Sequence, residues 1–76
     1  MADNFSFSIE KHLGKISDDK SSWPMELNLV SWSNHPAKYD LRPWSPDHQK
    51  MGKGVTFTAE ELKNLKDLLN SLEIQG

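Results

Sequence analysis

The sequence contains no cysteine, which removes disulfide staples and thiolate metal sites and fits a chain kept in a reducing compartment. It also lacks any run of 18 apolar residues, so no membrane-spanning helix and no membrane partner are expected. The opening Met1-Ala2-Asp3-Asn4 has neither a basic segment nor an apolar run, and the expected location is the cytoplasm. The histidines, His12, His35 and His48, stand far apart without paired carboxylates at ligand spacing, so no metal and no other cofactor is expected. Asp40, Asp47 and His48 are the residues from which a hydrolytic centre would have to be built. They come without an identifiable nucleophile, and neither enzymatic activity nor a small-molecule substrate is expected. Excess positive charge is missing too: the formal net charge is −2, which excludes an unstructured polycation coating nucleic acid. Finally, the chain lacks length. At 76 residues it forms one domain, and a chain of that size buries only about 60% of the surface its unfolded form exposes. With no staple for so small a core, oligomerisation is the simplest source of further stability, and a homodimer is expected.

The clearest local signal is the stretch KGVTFTAEELKNLKDLLNSL, residues 53 to 72. Val55 and Phe57 share one face of a short strand, with Thr56 on the other. Thr58 and Glu61 have the spacing of a capping box, and Phe57 and Leu62 that of a hydrophobic staple. Glu60 and Glu61 sit where the helix dipole favours negative charge. Leu62, Leu65, Leu68, Leu69 and Leu72 then recur at helical steps. A stripe of leucines without aromatics is a packing face, for a core or for a dimer.

Ahead of this lie three further strand-like runs. In Phe5-Ser6-Phe7-Ser8-Ile9 the apolar residues alternate with serine and are expected to face a core, and Gly14 marks a bulge. A polar turn is expected over residues 18 to 22. Trp23, beside Pro24, is either a lid over the core edge or an exposed platform. The second run places Met25, Leu27 and Leu29 inward and leaves Trp32 on the opposite parity. Ser33-Asn34-His35-Pro36 has hairpin chemistry. In the third run Ala37, Tyr39 and Leu41 share one side, while Lys38, Asp40, Arg42 and Trp44 share the other. Pro43 removes a ladder donor, so this strand is an edge or bends there. Residues 45 to 54 form a loop carrying Lys50 and Lys53, and Gly52 and Gly54 would let its backbone approach a ligand closely.

Charge is distributed unevenly. From residue 54 onward two lysines face four carboxylates, whereas residues 34 to 53 hold Lys38, Arg42, Lys50 and Lys53 against Asp40 and Asp47. Local potential rather than net charge decides what binds. The bland reading of the face with Lys38, Arg42, Trp44 and Trp32 is a solvated sheet surface carrying tryptophans. The sharper reading is a surface for a partner with both flat rings and negative charge, namely single-stranded nucleic acid. A third reading is a protein-interaction module anchored on the indoles and Arg42.

The order of four strands and a helix, with Asp40-Leu41-Arg42 followed by an aromatic, then Lys53-Gly54-Val55-Thr56-Phe57 running into a capped helix, resembles the positive cofactor four family of single-stranded-DNA-binding transcription coactivators, most closely its small bacterial YdbC-type members. The resemblance covers nearly the whole chain. It implies an α+β fold, a curved four-stranded antiparallel β-sheet followed by a C-terminal α-helix, in a homodimer; strands are expected over about 5–17, 25–33, 37–45 and 54–58, and the helix over 59–72. It further implies binding of single-stranded DNA with little sequence preference, in transcription, replication or repair, by a nucleoid-associated protein; RNA is the other candidate strand. Arg42 and Lys53 fall on family positions that contact the phosphate backbone. Trp32 falls near an aromatic at the end of the second strand, and Trp44 within the aromatic pair ending the third. Lys38 and Lys50 complete the expected nucleic-acid-binding set from the face reading and the local resemblance. The chain departs from the family pattern at Pro43, at the absence of a basic residue near Val30 and at Leu62, where an aromatic is common.

Overall fold

A computed structural model describes residues 6–17 and 22–76. The strand start expected at Phe5 and most of the turn expected at 18–22 lie outside the described residues. Four strands, β1 (Phe7–Lys15), β2 (Met25–Trp32), β3 (Lys38–Pro43) and β4 (Val55–Phe57), form one sheet in the order β1-β2-β3-β4, and α1 (Ala59–Ser71) follows. Every neighbouring pair is antiparallel. The α+β architecture implied by the resemblance is therefore present.

Local chemistry explains the joints. The hairpin between β2 and β3 closes with the His35 N–H donating to the Trp32 carbonyl at 2.8 Å, and Ser33 and Asn34 take φ of 49° and 66°. Two successive left-handed residues make a type I′ turn, whose twist matches that of the strands it joins. At the other end of the sheet β4 passes straight into α1. The Glu61 N–H donates to Thr58 Oγ1 at 3.1 Å, and the Thr58 N–H donates to Glu61 Oε1 at 2.9 Å. This reciprocal pair is the capping box expected from the spacing.

Register decides which side chains share a face. Glu26 lies opposite Arg42, Asn28 opposite Asp40, and Val30 opposite Lys38. The leucines on the other parity, Leu27 and Leu41, also stand opposite each other. β1 changes parity on the way, with register shifts between Ile9 and Lys11 and between His12 and Gly14. The second shift lies at the bulge expected at Gly14; the first was not signalled by any glycine. Phe7 pairs with Trp32 and Ile9 with Val30. Phe7 and Ile9 therefore lie on the side of Trp32, away from Leu27 and Leu29, with Ser8 and Glu10 exposed as the alternation predicts. Alternation fixes faces within one strand, and only pairing fixes which faces coincide.

The two faces differ in a second unexpected way. The helix sits on the Leu27–Leu41 side, but none of its residues is buried, and Leu68 and Leu72 remain 55% and 52% exposed. Between helix and sheet an apolar groove of about 480 Å³ is lined by Leu27, Leu41, Phe57, Leu62, Leu65 and Leu69 among others. The fully covered side chains, Asn28, Val30, Asp40 and Trp44, belong to the other face.

Substituting Thr58 by Ala removes one half of the capping box and is expected to lower stability by about 0.5–2 kcal/mol. Urea denaturation of the parent and the variant measures it, and equal midpoints would place the helix start elsewhere.

Candidate nucleic-acid interface

The polar face is built around β3. Asp40 is completely buried, and a carboxylate in that position needs a partner. Arg42, two residues along on the same side, supplies it: Nε donates to Oδ1 at 2.7 Å and to Oδ2 at 2.9 Å, and Nη2 lies 2.7 Å from Oδ2. The guanidinium is held from two further sides. Its carbon lies 4.6 Å from the Trp32 ring centroid, and Nη1 donates to Met51 Sδ at 3.3 Å. Arg42 is thus a plate sandwiched into the face, with its charge balanced by Asp40 and its ring stack fixed by Trp32.

The aromatic residues form a chain across the same face. Phe7 lies 5.7 Å from Trp32 and 5.3 Å from Trp44 between ring centroids, and Trp44 lies 5.6 Å from His48. Trp44 is fully buried. This corrects the expectation of an indole displayed on the surface, and the reason is the loop that follows. The Trp44 N–H donates to the Pro24 carbonyl, extending the pairing with β2, while Trp44 and Met51 form an isolated bridge. Residues 44 to 51 therefore double back on themselves. The Ser45 N–H donates to the Lys50 carbonyl and the His48 N–H to the Ser45 carbonyl, with His48 at φ 60°. The returning loop carries His48 and Met51 onto Glu26 and Arg42. Trp44 lies beneath, and its indole N–H has no hydrogen-bond partner among the described residues. A truncation at Trp44 acts on the fold first. Trp32 is only partly covered.

The glycines of the loop also change meaning. A Cβ on Gly54 would run into the Arg42 side chain and the Leu41 carbonyl oxygen, and one on Gly52 would stand 2.7 Å from Pro43 Cγ. Their lack of a side chain lets the chain pass tightly against β3, so packing within the protein already requires them. Lys38, Lys50 and Lys53 are exposed. Of the six residues expected to contact nucleic acid, Trp32, Lys38 and Arg42 share the sheet face, Trp44 lies under it, and Lys50 and Lys53 belong to the folded-back loop.

A third polar cluster was not anticipated from the sequence. Glu26, only 5% exposed, accepts from His48 Nε2 at 2.9 and 3.0 Å and from the Asn28 amide at 3.2 Å. His12 Nδ1 lies 2.7 Å from Asn28 Oδ1 and 3.6 Å from Glu26 Oε1. Burial pushes the Glu26 carboxyl up, but the His48 and Asn28 hydrogen bonds and the charges of His48 and His12 outweigh it and hold the group below its ordinary value. The signal in the sequence was the parity of Glu26 and Asn28 with Trp32; which histidines they meet depends on the bulges of β1 and the return of the loop. Among the described residues no group of three His, Asp or Glu side chains is arranged to hold a metal ion. Asp40, Asp47 and His48 do not converge as a hydrolytic set: Asp40 is paired with Arg42, Asp47 with Ser45, and His48 with Glu26.

Fold and site together define a small β-β-β-β-α protein with a helix on one side of its sheet and a face of aromatic rings and cations on the other. The sequence pattern of the Transcriptional Coactivator p15 (PC4) family matches residues 20–68, more than half of the chain and all of β2, β3 and β4, and the chain belongs to that family. An uncharacterized protein of Treponema pallidum (strain Nichols) is 46% identical over 72 residues, which cover 95% of this chain and 85% of that protein. No described helix is long and apolar enough to cross a membrane.

Because Glu26 has a lowered pKa in the folded chain, its contribution to stability is present above the unfolded value, near 4.5, and is lost as pH falls through the lower folded value. The acid limb of a stability profile, measured by urea denaturation between about pH 6 and about pH 3, is expected to be shallower in Glu26→Gln than in the parent. An equally steep limb would show that the network does not depend on the carboxylate charge.

Proposed function

We propose that the protein binds single-stranded DNA with little sequence preference, as a homodimer serving transcription, replication or repair in the cytoplasm. The observation that carries this reading is the Arg42 guanidinium stacked 4.6 Å over Trp32 and anchored on buried Asp40, in a chain belonging to a non-enzymatic, DNA-binding family. Stacked bases are recognised by aromatic and guanidinium planes, and phosphates by cations around them. Trp32 and Arg42 supply the stacking surface, Trp44 supports it from below, and Lys38, Lys50 and Lys53 supply the phosphate contacts. Single-stranded RNA offers the same rings and phosphates and is the competing ligand. The buried state of Trp44 weighs against a protein-interaction module anchored on both indoles.

The dimer rests on the opposite side of the molecule. Packing in proteins leaves few voids, yet here an apolar groove separates helix from sheet while Leu68, Leu69 and Leu72 stay open. A second copy placing its helix across the first would cover both.

Trp32→Ala is expected to weaken oligothymidine binding about tenfold, since stacking contributes about 1–3 kcal/mol per base. Each neutralised phosphate adds about 0.7 to the slope of log affinity against log salt, so Lys53→Ala and Lys50→Ala should flatten that slope. Arg42→Ala is a poor probe of phosphate contact, because it leaves Asp40 buried without its counter-charge. Fluorescence titration at several salt concentrations reads these effects, and duplex bound as tightly as single strand would refute the surface.

For the dimer, Leu69→Asp is expected to dissociate or unfold the protein in sedimentation equilibrium. A folded, monodisperse monomer of the parent at micromolar concentration would overturn that part of the reading.

A further inference from the structure

Beside the Trp32–Arg42 stack, a cavity of about 330 Å³ opens on the same face between Ile9, His12, Lys15, Glu26, Asn28 and His48. Its hydrogen bonds fix the tautomer of both rings. A carboxylate only accepts, so His48 Nε2, at 2.9 and 3.0 Å from the Glu26 oxygens, carries a hydrogen. The Asn28 amide nitrogen donates to Glu26, which turns Asn28 Oδ1 toward His12; His12 Nδ1, at 2.7 Å, must then be the donor. In a neutral imidazole the second nitrogen is an acceptor. The nitrogens left over, His12 Nε2 and His48 Nδ1, therefore carry lone pairs while the rings are neutral. Each becomes a charged N–H donor when its ring gains a proton.

We propose that His12 and His48 form a proton-dependent phosphate site on the nucleic-acid face, so that the protein takes up protons as it binds a single strand. This rests on the reading of that face as a single-strand-binding surface. Neutral rings offer a phosphate oxygen only lone pairs, whereas protonated rings offer N–H donors and positive charge on side chains 56% and 40% exposed. The surrounding charges leave the histidines decisive. Glu26 on β2, Asp40 on β3 and Asp47 in the loop are matched in number by Lys15 on β1, Arg42 on β3 and Lys50 in the loop. Glu10 and Lys11, which precede His12 on β1, also offset each other, so among these described residues the formal charges balance until an imidazole is protonated. Glu26 and Asn28 act as positioning residues: buried themselves, they hold the two rings at the cavity edge and keep the outer nitrogens available.

Oligothymidine is the probe, because thymine does not protonate in the range where histidine titrates. Its affinity is expected to rise about threefold to tenfold from about pH 8 to about pH 5.5, with the salt slope steeper by about 0.7 at the acid end. In His12→Gln/His48→Gln both the rise and the extra slope should disappear, while His35→Gln, in the β2–β3 turn, should keep them. Should replacing His48 disturb its loop, His12→Gln alone decides: its ring is more than half exposed, and an unreduced rise would overturn the proposal. A flat pH profile in a parent that binds oligothymidine well would overturn the proton linkage and leave the proposed function standing. No binding at any pH would overturn both.

Discussion

Asp40 is the constraint to which the polar face answers. A carboxylate with no solvent exposure, placed in the middle of a sheet, is tolerated only with close counter-charge and hydrogen bonds. Arg42 is the side chain on the same strand and face that reaches it, and in reaching it the guanidinium is laid flat against Trp32. Met51 then closes the remaining side, which requires the loop after β3 to turn back over the sheet. Gly54 lacks a Cβ because that return brings β4 hard against the Arg42 side chain. The position of the loop lysines and of His48 thus follows from the way one buried charge is satisfied.

That dependence explains what could be read from the residues and what could not. The strand-to-helix joint was legible because all its determinants are local: Thr58 and Glu61 sit three positions apart, and the cap they form involves nothing else. The β2–β3 turn was legible for the same reason, through Asn34 and its tolerance of positive φ. The face assignments of Lys38, Arg42 and Trp32 also held, since β2 and β3 run without a bulge. Burial was not legible. Parity places Trp44 on the side of Arg42 but is silent about a loop ten residues long that folds back over it. That Phe7 and Ile9 share the side of Trp32 was not legible, because alternation within β1 does not say which face of β2 it meets. Parity put Glu26 and Asn28 on the face of Trp32, but their histidine partners could not be found from spacing, as His12 and His48 lie 16 residues from Asn28 and 22 from Glu26, respectively.

The sheet therefore separates two kinds of incompleteness. On its polar face the carboxylates, guanidinium, amide and imidazoles pair with one another, so the geometry of that surface is set before any ligand arrives. Such pre-organisation lowers the ordering cost of binding. Its apolar face is the reverse, with a helix that is capped and amphipathic yet leaves its leucines open. The helix is formed by local signals, and among the described residues only Leu62 and Leu65 of its stripe are even half-buried, so little of the packing that would normally stabilise it is supplied there.

The same separation accounts for a formal charge of −2 in a protein read as an anion binder. Glu60, Glu61, Asp67 and Glu73 all lie on or just beyond the helix, and the helix packs against β3 and β4 from the side opposite Arg42 and Lys38. The sheet itself stands between them, and solvent-exposed charges separated by more than a screening length of about 8 Å interact weakly at physiological salt. The helix carboxylates consequently subtract little from the potential at the far face. Under the proposed function the lysines at the margin of that face would act at contact distance. The acidic helix makes the chain's overall balance negative, and under the proposed function contact between rings and bases would select strands whose bases are free to stack.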